Sequence, residues 1–201
     1  MAASSKARPL SMTMHSTKRR LIDEGLRMLL RQGYNNLSLQ ELLDAAGVPK
    51  GSFYHHFNDK EDFALQVIDA YISDVHTTLD ACVTDARLAP LDRIRAFFRH
   101  VEQSYRRDDY LGCLMGGLGQ ELSGVSDTFR AKIDWCFSSI AEKLQFCLEA
   151  AKAEGAVSPE YDTTAMANVL VDCWEGAALR SRLKRSPAPL AAMLDFYLKS
   201  I

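Results

Sequence analysis

The chain has little that could fix a fold covalently. Its five cysteines, Cys82, Cys113, Cys136, Cys147 and Cys173, are odd in number and widely spaced, and no two form a CxxC pair. That pattern argues against a disulfide scaffold and against a zinc site, and leaves small buried hydrophobes as the default role. Long apolar runs are missing as well: the stretch Ala165–Val171 is interrupted by Asn168 and is too short to cross a bilayer. Residues 1–15 have no apolar segment of the kind a secretory leader needs, so they are expected to form a mobile arm. Without a span or a leader, the expected location is cytoplasmic. There is no β-type alternation, internal repeat or low-complexity tract. Charge of one sign is scarce too, because the net charge is only −2.

What is present reads as an ordinary folded protein. Of the 201 residues, 47% are apolar and 25% charged, which excludes a disordered or fibrous chain. The charges are unevenly placed. Residues 1–60 hold nine Lys/Arg against five Asp/Glu, a balance of +4; residues 61–201 hold fifteen against twenty-one, a balance of −6. A basic head on an acidic body suits a protein whose head alone meets phosphate.

Nearly all of the sequence has helical periodicity. Leu21, Ile22, Leu26, Leu29 and Leu30 make one apolar stripe, predicting a helix from Ser16 or Thr17 to about Gln32, stopped by Gly33. Ser38 followed by Glu41 is a capping box opening a short helix that ends at Gly47. Pro49 suits the first turn of the next helix, about Lys50–Phe57, because its missing N–H would have no partner there. Asn58 or Asp59 caps a longer helix from about Lys60 to Val83. Further helices are expected near 91–106, 113–122, 127–154, 162–185 and 188–199. The fold class is all-α, divided into an arm (1–15), a three-helix head (16–62) and a helical body (63–201).

Two short helices joined by a glycine-containing turn, at about 38–57, are the sequence form of a helix-turn-helix. Ala45, Ala46 and Gly47 allow a close crossing, and Val48, Phe53 and Phe57 are placed to pack on the first helix. Lys50, Ser52, Tyr54 and His55 are left on the outward face. They can reach phosphate oxygens or base edges, and Gly51 lets a DNA backbone approach. The helix N-terminus adds its own N–H groups. Ser38 and Lys60, each opening a helix, complete the candidate DNA contacts. The plainer reading is that the aromatic cluster Phe53–Phe57 is packing. His55 and His56, being adjacent, do not share a helix face and make a poor metal pair. No metal, cofactor or catalytic set is expected.

The segment Gly47–Phe63 (GVPKGSFYHHFNDKEDF) resembles the signature of TetR-family regulators, over about residues 17–65. The resemblance implies an all-helical homodimer that binds operator DNA, usually as a repressor, and releases it when a small-molecule effector enters the body. The segments Gly112–Glu121 (GCLMGGLGQE) and Trp174–Leu183 (WEGAALRSRL) are similar to the NemR/AcuR subgroup, which points to an acrylate-like or electrophilic effector. Dimerisation through the last two helices is likewise implied by the family. Met166, Val169, Leu170, Cys173, Ala177, Ala178, Leu190, Met193, Leu194 and Tyr197 form their apolar stripe.

In the body, Cys113 follows Gly112 at an expected helix start, where N–H groups and the helix dipole favour a thiolate. It matches the cysteine that NemR-like proteins keep after glycine. Arg182 stands where those proteins have lysine, so a lysine–thiol partnership does not carry over. Cys113 is therefore read either as a sensing thiol or as packing. The candidate effector pocket comprises Tyr105, Cys113, Gln120, Trp135, Trp174, Glu175 and Arg182, with Arg182 or Arg180 able to pair with a carboxylate. Gly116, Gly117 and Gly119 lack the Gly-Lys-Ser/Thr that a phosphate loop requires. Two competing readings stand beside the regulator. One is an enzyme using Cys113, for which His100 is the only histidine nearby in sequence. The other is an interaction module indifferent to Tyr54 and His55.

Overall fold

A computed structural model describes residues 10–201, with side chains from Thr17 onward. Nine helices and no strand occur among the described residues: α1 (Leu10–Gln32), α2 (Leu39–Ala46), α3 (Lys50–Tyr54), α4 (Lys60–Val83), α5 (Pro90–Arg107), α6 (Leu114–Leu122), α7 (Asp127–Ala153), α8 (Thr163–Lys184) and α9 (Ala188–Lys199). The chain forms two compact units that divide inside α4, between Tyr71 and Ile72. Most of the arm expected at 1–15 lies outside the described residues. Positions 10–15 belong to α1, which opens earlier than its apolar stripe begins because nothing there breaks a helix.

In the first unit, the turn between α2 and α3 is built from local chemistry. Ser38 Oγ accepts from the Glu41 N–H at 3.4 Å, one half of the expected capping box. Gly47 closes α2 in the left-handed region (φ 59°), where a side chain would be strained. Pro49 is the N-cap of α3, with φ −62°, one position before the first turn where it was expected. α3 itself is shorter than expected: it stops at Tyr54, and Phe57 N–H bonds back to Phe53 O at 3.0 Å in a closing turn. Asp59, rather than Asn58, caps α4 by accepting from the Asp62 N–H at 2.8 Å.

The head is held by aromatic packing. Phe53, Phe57 and Phe63 are all buried, with ring centroids 4.9–5.5 Å apart. The edge of the Phe63 ring abuts Gly25 of α1, where a Cβ would fall 2.3 Å from Phe63 Cζ. Arg20, also on α1, donates through Nη2 to the carbonyls of Ala46 and Gly47, the latter at 3.2 Å. It thereby satisfies carbonyls that the end of α2 leaves without helical partners.

In the second unit, α5, α7, α8, α9 and the end of α4 share an apolar core. Ser126 caps α7 and Asp162 caps α8, the latter accepting from Thr164 N–H and Ala165 N–H at 2.9 and 3.2 Å. No helix among the described residues is long and apolar enough to cross a membrane.

Replacing Gly25 with Ala forces a methyl into the Phe63 ring, which is itself wedged between Phe53 and Phe57. Over-packing of this kind costs about 1–3 kcal/mol. The first unit is therefore expected to melt earlier, as read by thermal or urea unfolding.

Candidate functional site

The first candidate site is the outer face of α3. With Phe53 and Phe57 buried, the five-residue helix has no freedom to roll, and its remaining positions face out. Lys50, Gly51, Tyr54 and His55 are exposed, Tyr54 to 53%, and Ser52 is half-buried. No atom lies within 4 Å of where a Gly51 Cβ would sit, so the surface there is open. Ser38 is half-buried and occupied with its capping bond. Lys60 is also half-buried and lies over the Tyr34 ring at 4.6 Å, a cation–π contact that positions its ammonium. Lys18 approaches the Phe57 ring at 5.7 Å. It also lowers the proton affinity of His56, after burial and ahead of His55. Both effects favour the neutral form of His56. Sequence reasoning missed Arg20 and Gly25. Both sit on the first helix, and their roles depend on which segment packs there.

The second candidate site is a cavity of about 80 Å³ between α6 and α8. Its lining includes Cys113, Gly116, Gln120, Glu175 and Arg182. The loop before α6 delivers the thiol. Asp109 and Tyr110 are left-handed at φ 54° and 55°, and Gly112 follows at 87°. Two adjacent non-glycine residues in that region are uncommon and strained. Asp109 is tied to Arg185 at the end of α8, Oδ2 to Nη1 at 3.3 Å. Cys113 is the N-cap of α6 and makes no side-chain capping bond. Its thiol donates instead to the Glu175 carboxyl. Burial pushes Glu175 up to about 7, and the Cys113 hydrogen bond opposes this only in part. Gly116 makes room for that carboxyl: a Cβ there would fall 2.3 Å from Glu175 Oε2. From α7, the buried Cys136 thiol feels both burial and the Glu175 charge, and is pushed up to about 12.

The structure thus brings Cys113, Gln120, Glu175 and Arg182 together and separates the other three pocket candidates from them. Trp174 is buried against Phe98, with centroids 4.4 Å apart, and lines a different cavity of about 130 Å³ with Arg95, Arg99 and Leu194. Tyr105 is buried beside the Trp174 ring, with centroids 6.4 Å apart. Trp135 is 56% exposed and lies beside the His76 ring, tilted at 57° to it, and His76 hydrogen-bonds Ser139 at 2.9 Å. Helical spacing carried Trp135 to the outer side of α7, away from the cavity. Arg180 and His100 are exposed. No cluster of metal-ligating side chains occurs among the described residues.

Most of the apolar stripe assigned to the last two helices is core: Met166, Leu170, Ala177, Ala178, Leu190, Leu194 and Tyr197 are buried. A separate set faces outward. Val169, Leu179 and Leu183 on α8 and Phe196 on α9 are exposed, Leu183 to 68% and Phe196 to 76%. Cys173 is exposed on the same helix, and open space surrounds Gly176.

A helix-turn-helix head with a helical body that holds a small cavity defines a class: one-component DNA-binding regulators. The comparisons with known proteins narrow it. Residues 21–67 match the family of bacterial regulatory proteins, tetR family, and residues 90–197 match the tetracyclin repressor-like C-terminal domain. The chain belongs to the TetR family of transcriptional regulators. It is 40% identical to the transcriptional regulator AcuR of Cereibacter sphaeroides, over 85% of this chain and 78% of that one. It is 30% identical to the HTH-type transcriptional repressor NemR of Escherichia coli K12, over 89% and 90%. A crystal structure of regulatory protein TetR from Rhodobacter sphaeroides superposes with a TM-score of 0.87 at 38% identity, over 91% of this chain and 97% of that one. These relatives are regulators, so the enzyme reading of Cys113 is set aside.

Glu175 gives a stability signature. Its carboxyl binds a proton more tightly folded than unfolded, so its contribution is fully present at pH below about 4.5 and is lost as pH rises through about 7. The melting temperature of the Glu175→Gln variant should therefore gain on the wild type as pH is raised from 5 to 8. A constant difference across that range would contradict the assignment.

Proposed function

We propose that this regulator is a homodimeric repressor. It holds operator DNA through the outward face of α3 and releases it when a small molecule fills the cavity beside Cys113. DNA binding is assigned to residues 16–62, and effector binding and dimerisation to 63–201. The observation that carries the reading is the two-sidedness of α3. Phe53 and Phe57 are buried, while Lys50, Gly51, Tyr54 and His55 face solvent together. A short helix with one aromatic side locked down and one polar side free fits a groove of duplex DNA. Lys50 and Lys60 supply cations for phosphate, and Ser38, Ser52, Tyr54 and His55 supply hydrogen bonds. With no membrane-crossing helix among the described residues and DNA as its partner, the protein is assigned to the cytoplasm.

The dimer is assigned to the exposed face of α8 and α9. Val169, Leu179, Leu183 and Phe196 leave an apolar surface uncovered, and open Gly176 lets a second helix approach closely. A two-fold dimer sets two heads about 34–36 Å apart on successive major grooves. The effector is assigned to the acrylate-like or electrophilic class. The support is the company Cys113 keeps: a thiol and an arginine in one small cavity, the thiol at a helix N-terminus.

Two experiments test this. In gel-shift titration with DNA from upstream of its own gene, binding should be selective and salt-sensitive. Lys50→Ala should weaken it on every sequence and lower the log–log salt slope by about one. The absence of a selective shift at low salt would sink the reading. Replacing both Leu183 and Phe196 with Glu should yield monomers in sedimentation and abolish operator binding, because desolvating charges there costs several kcal/mol. A dimer unaffected by both changes would place the interface elsewhere.

A further inference from the structure

The cavity between α6 and α8 has an unusual charge inventory. Its lining contains one cation, Arg182, and one acid, Glu175. An ionised Glu175 beside Arg182 would be an ordinary internal pair, but nothing indicates one. Burial dominates the Glu175 carboxyl, the Cys113 thiol is the only group that opposes it, and no cation contributes. Arg182 is exposed at the cavity's edge, on the wall opposite Gly112.

The head of α6 adds to this. Cys113 is its N-cap and makes no side-chain capping bond, so its thiol does not cover the first N–H groups of the helix. Cys113, Gly116 and Gly117 all border the cavity. The positive end of the helix dipole therefore faces the space. A helix N-terminus without a side-chain cap, an exposed guanidinium and, when protonated, the Glu175 carboxyl make a lining with a net positive potential and three kinds of hydrogen-bond donor. The volume, about 80 Å³, is several times the roughly 10–15 Å³ that one water requires. It suits a short-chain molecule of a few heavy atoms.

We infer that this cavity binds a small monocarboxylate, and that it does so only with the Glu175 side chain protonated, so that binding takes up a proton when Glu175 would otherwise be ionised. The inference rests on the reading of this cavity as the effector site and adds the charge state that site requires. The protonated carboxyl donates to one carboxylate oxygen of the ligand while Arg182 and the α6 amides face the other. When Glu175 ionises, two like charges share a desolvated space and the ligand is expelled. No bond is made or broken apart from this proton, which comes from solvent. The titratable groups that face Glu175 are the Cys113 thiol from the head of α6 and the Cys136 thiol from α7, with Arg182 on α8 itself. Cys136 keeps its proton through the whole range concerned, since it is pushed up to about 12.

Propionate is the probe, because it is a carboxylate that cannot add to the Cys113 thiol. Calorimetric titration of the full-length protein should show an affinity that is nearly constant below about pH 6 and falls about tenfold for each pH unit above 7. At pH 8, titrations in two buffers of different ionisation enthalpy should report nearly one proton taken up per propionate bound, and at pH 5.5 almost none. Glu175→Gln, a neutral isostere, should bind propionate with no pH dependence and no proton uptake. Gly116→Ala, whose methyl displaces the Glu175 carboxyl, should weaken binding at pH 6 while circular dichroism shows an intact helical fold. Failure of propionate to bind, binding without proton uptake, or loss of binding in Glu175→Gln at every pH would overturn the inference. Gel shifts in the same buffers separate it from the reading beneath it. Proton-linked binding that leaves the operator complex intact would remove this cavity as the effector site while the linkage stands.

Discussion

The head depends on one packing event: Phe53, Phe57 and Phe63 closing on one another, with Phe63 set against Gly25 of α1. α3 has only five residues, too short to persist in water on its own hydrogen bonds. It exists because Phe53 is buried, with Phe57 beside it in the turn that follows. Burial of those two rings also fixes which side of the helix faces out. Lys50, Gly51, Tyr54 and His55 need no interaction of their own to be presented, because their direction follows from what the phenylalanines do. Arg20 completes the arrangement by holding the last carbonyls of α2, which sets where the turn into α3 begins. In this head, stability and recognition have a single cause.

The second unit shows the opposite economy. Its core satisfies its apolar residues in the ordinary way, and its polar interest comes from a place where packing is incomplete. The left-handed pair Asp109 and Tyr110, followed by Gly112, directs the chain so that Cys113 caps α6 beside α8. Gly116 then gives up a side chain, and Glu175 occupies the space. A carboxyl placed there, with no cation close enough to contribute, would be costly if charged, so its proton affinity rises until neutral pH lies near its midpoint. The same desolvation that raises the proton affinity of Glu175 makes it sensitive to whatever enters the cavity.

Much of the fold was legible from spacing alone. Every helix from α2 onward starts and ends within a few residues of where periodicity and caps put it. The glycine stops at Gly33 and Gly47 and the cap at Ser38 work through neighbours in the chain. The misses were of two kinds. Helix ends moved where closure depends on an aromatic turn, as at Tyr54, or where nothing breaks the helix, as at the start of α1. The pocket candidates did not all come together: Trp135, Trp174 and Tyr105 lie apart from the cavity that holds Cys113, because helical spacing gives a residue's face but not what packs on that face.

The sequence by itself determined the all-helical class, the helix-turn-helix and the residues α3 turns outward, because these follow from contacts within a few residues and from one alternation of aromatic and polar positions. Only the tertiary structure decided that Gly25 receives Phe63, that Arg20 reaches the end of α2, and that Cys113 meets Glu175 across 62 positions. It also decided that the outward apolar face of α8 and α9 is Val169, Leu179, Leu183 and Phe196 rather than the buried stripe beside it. Those pairings join segments far apart in the chain, and burial, which sets both the proton affinity of Glu175 and the exposure of Leu183, is a property of the packed molecule and not of any stretch of it.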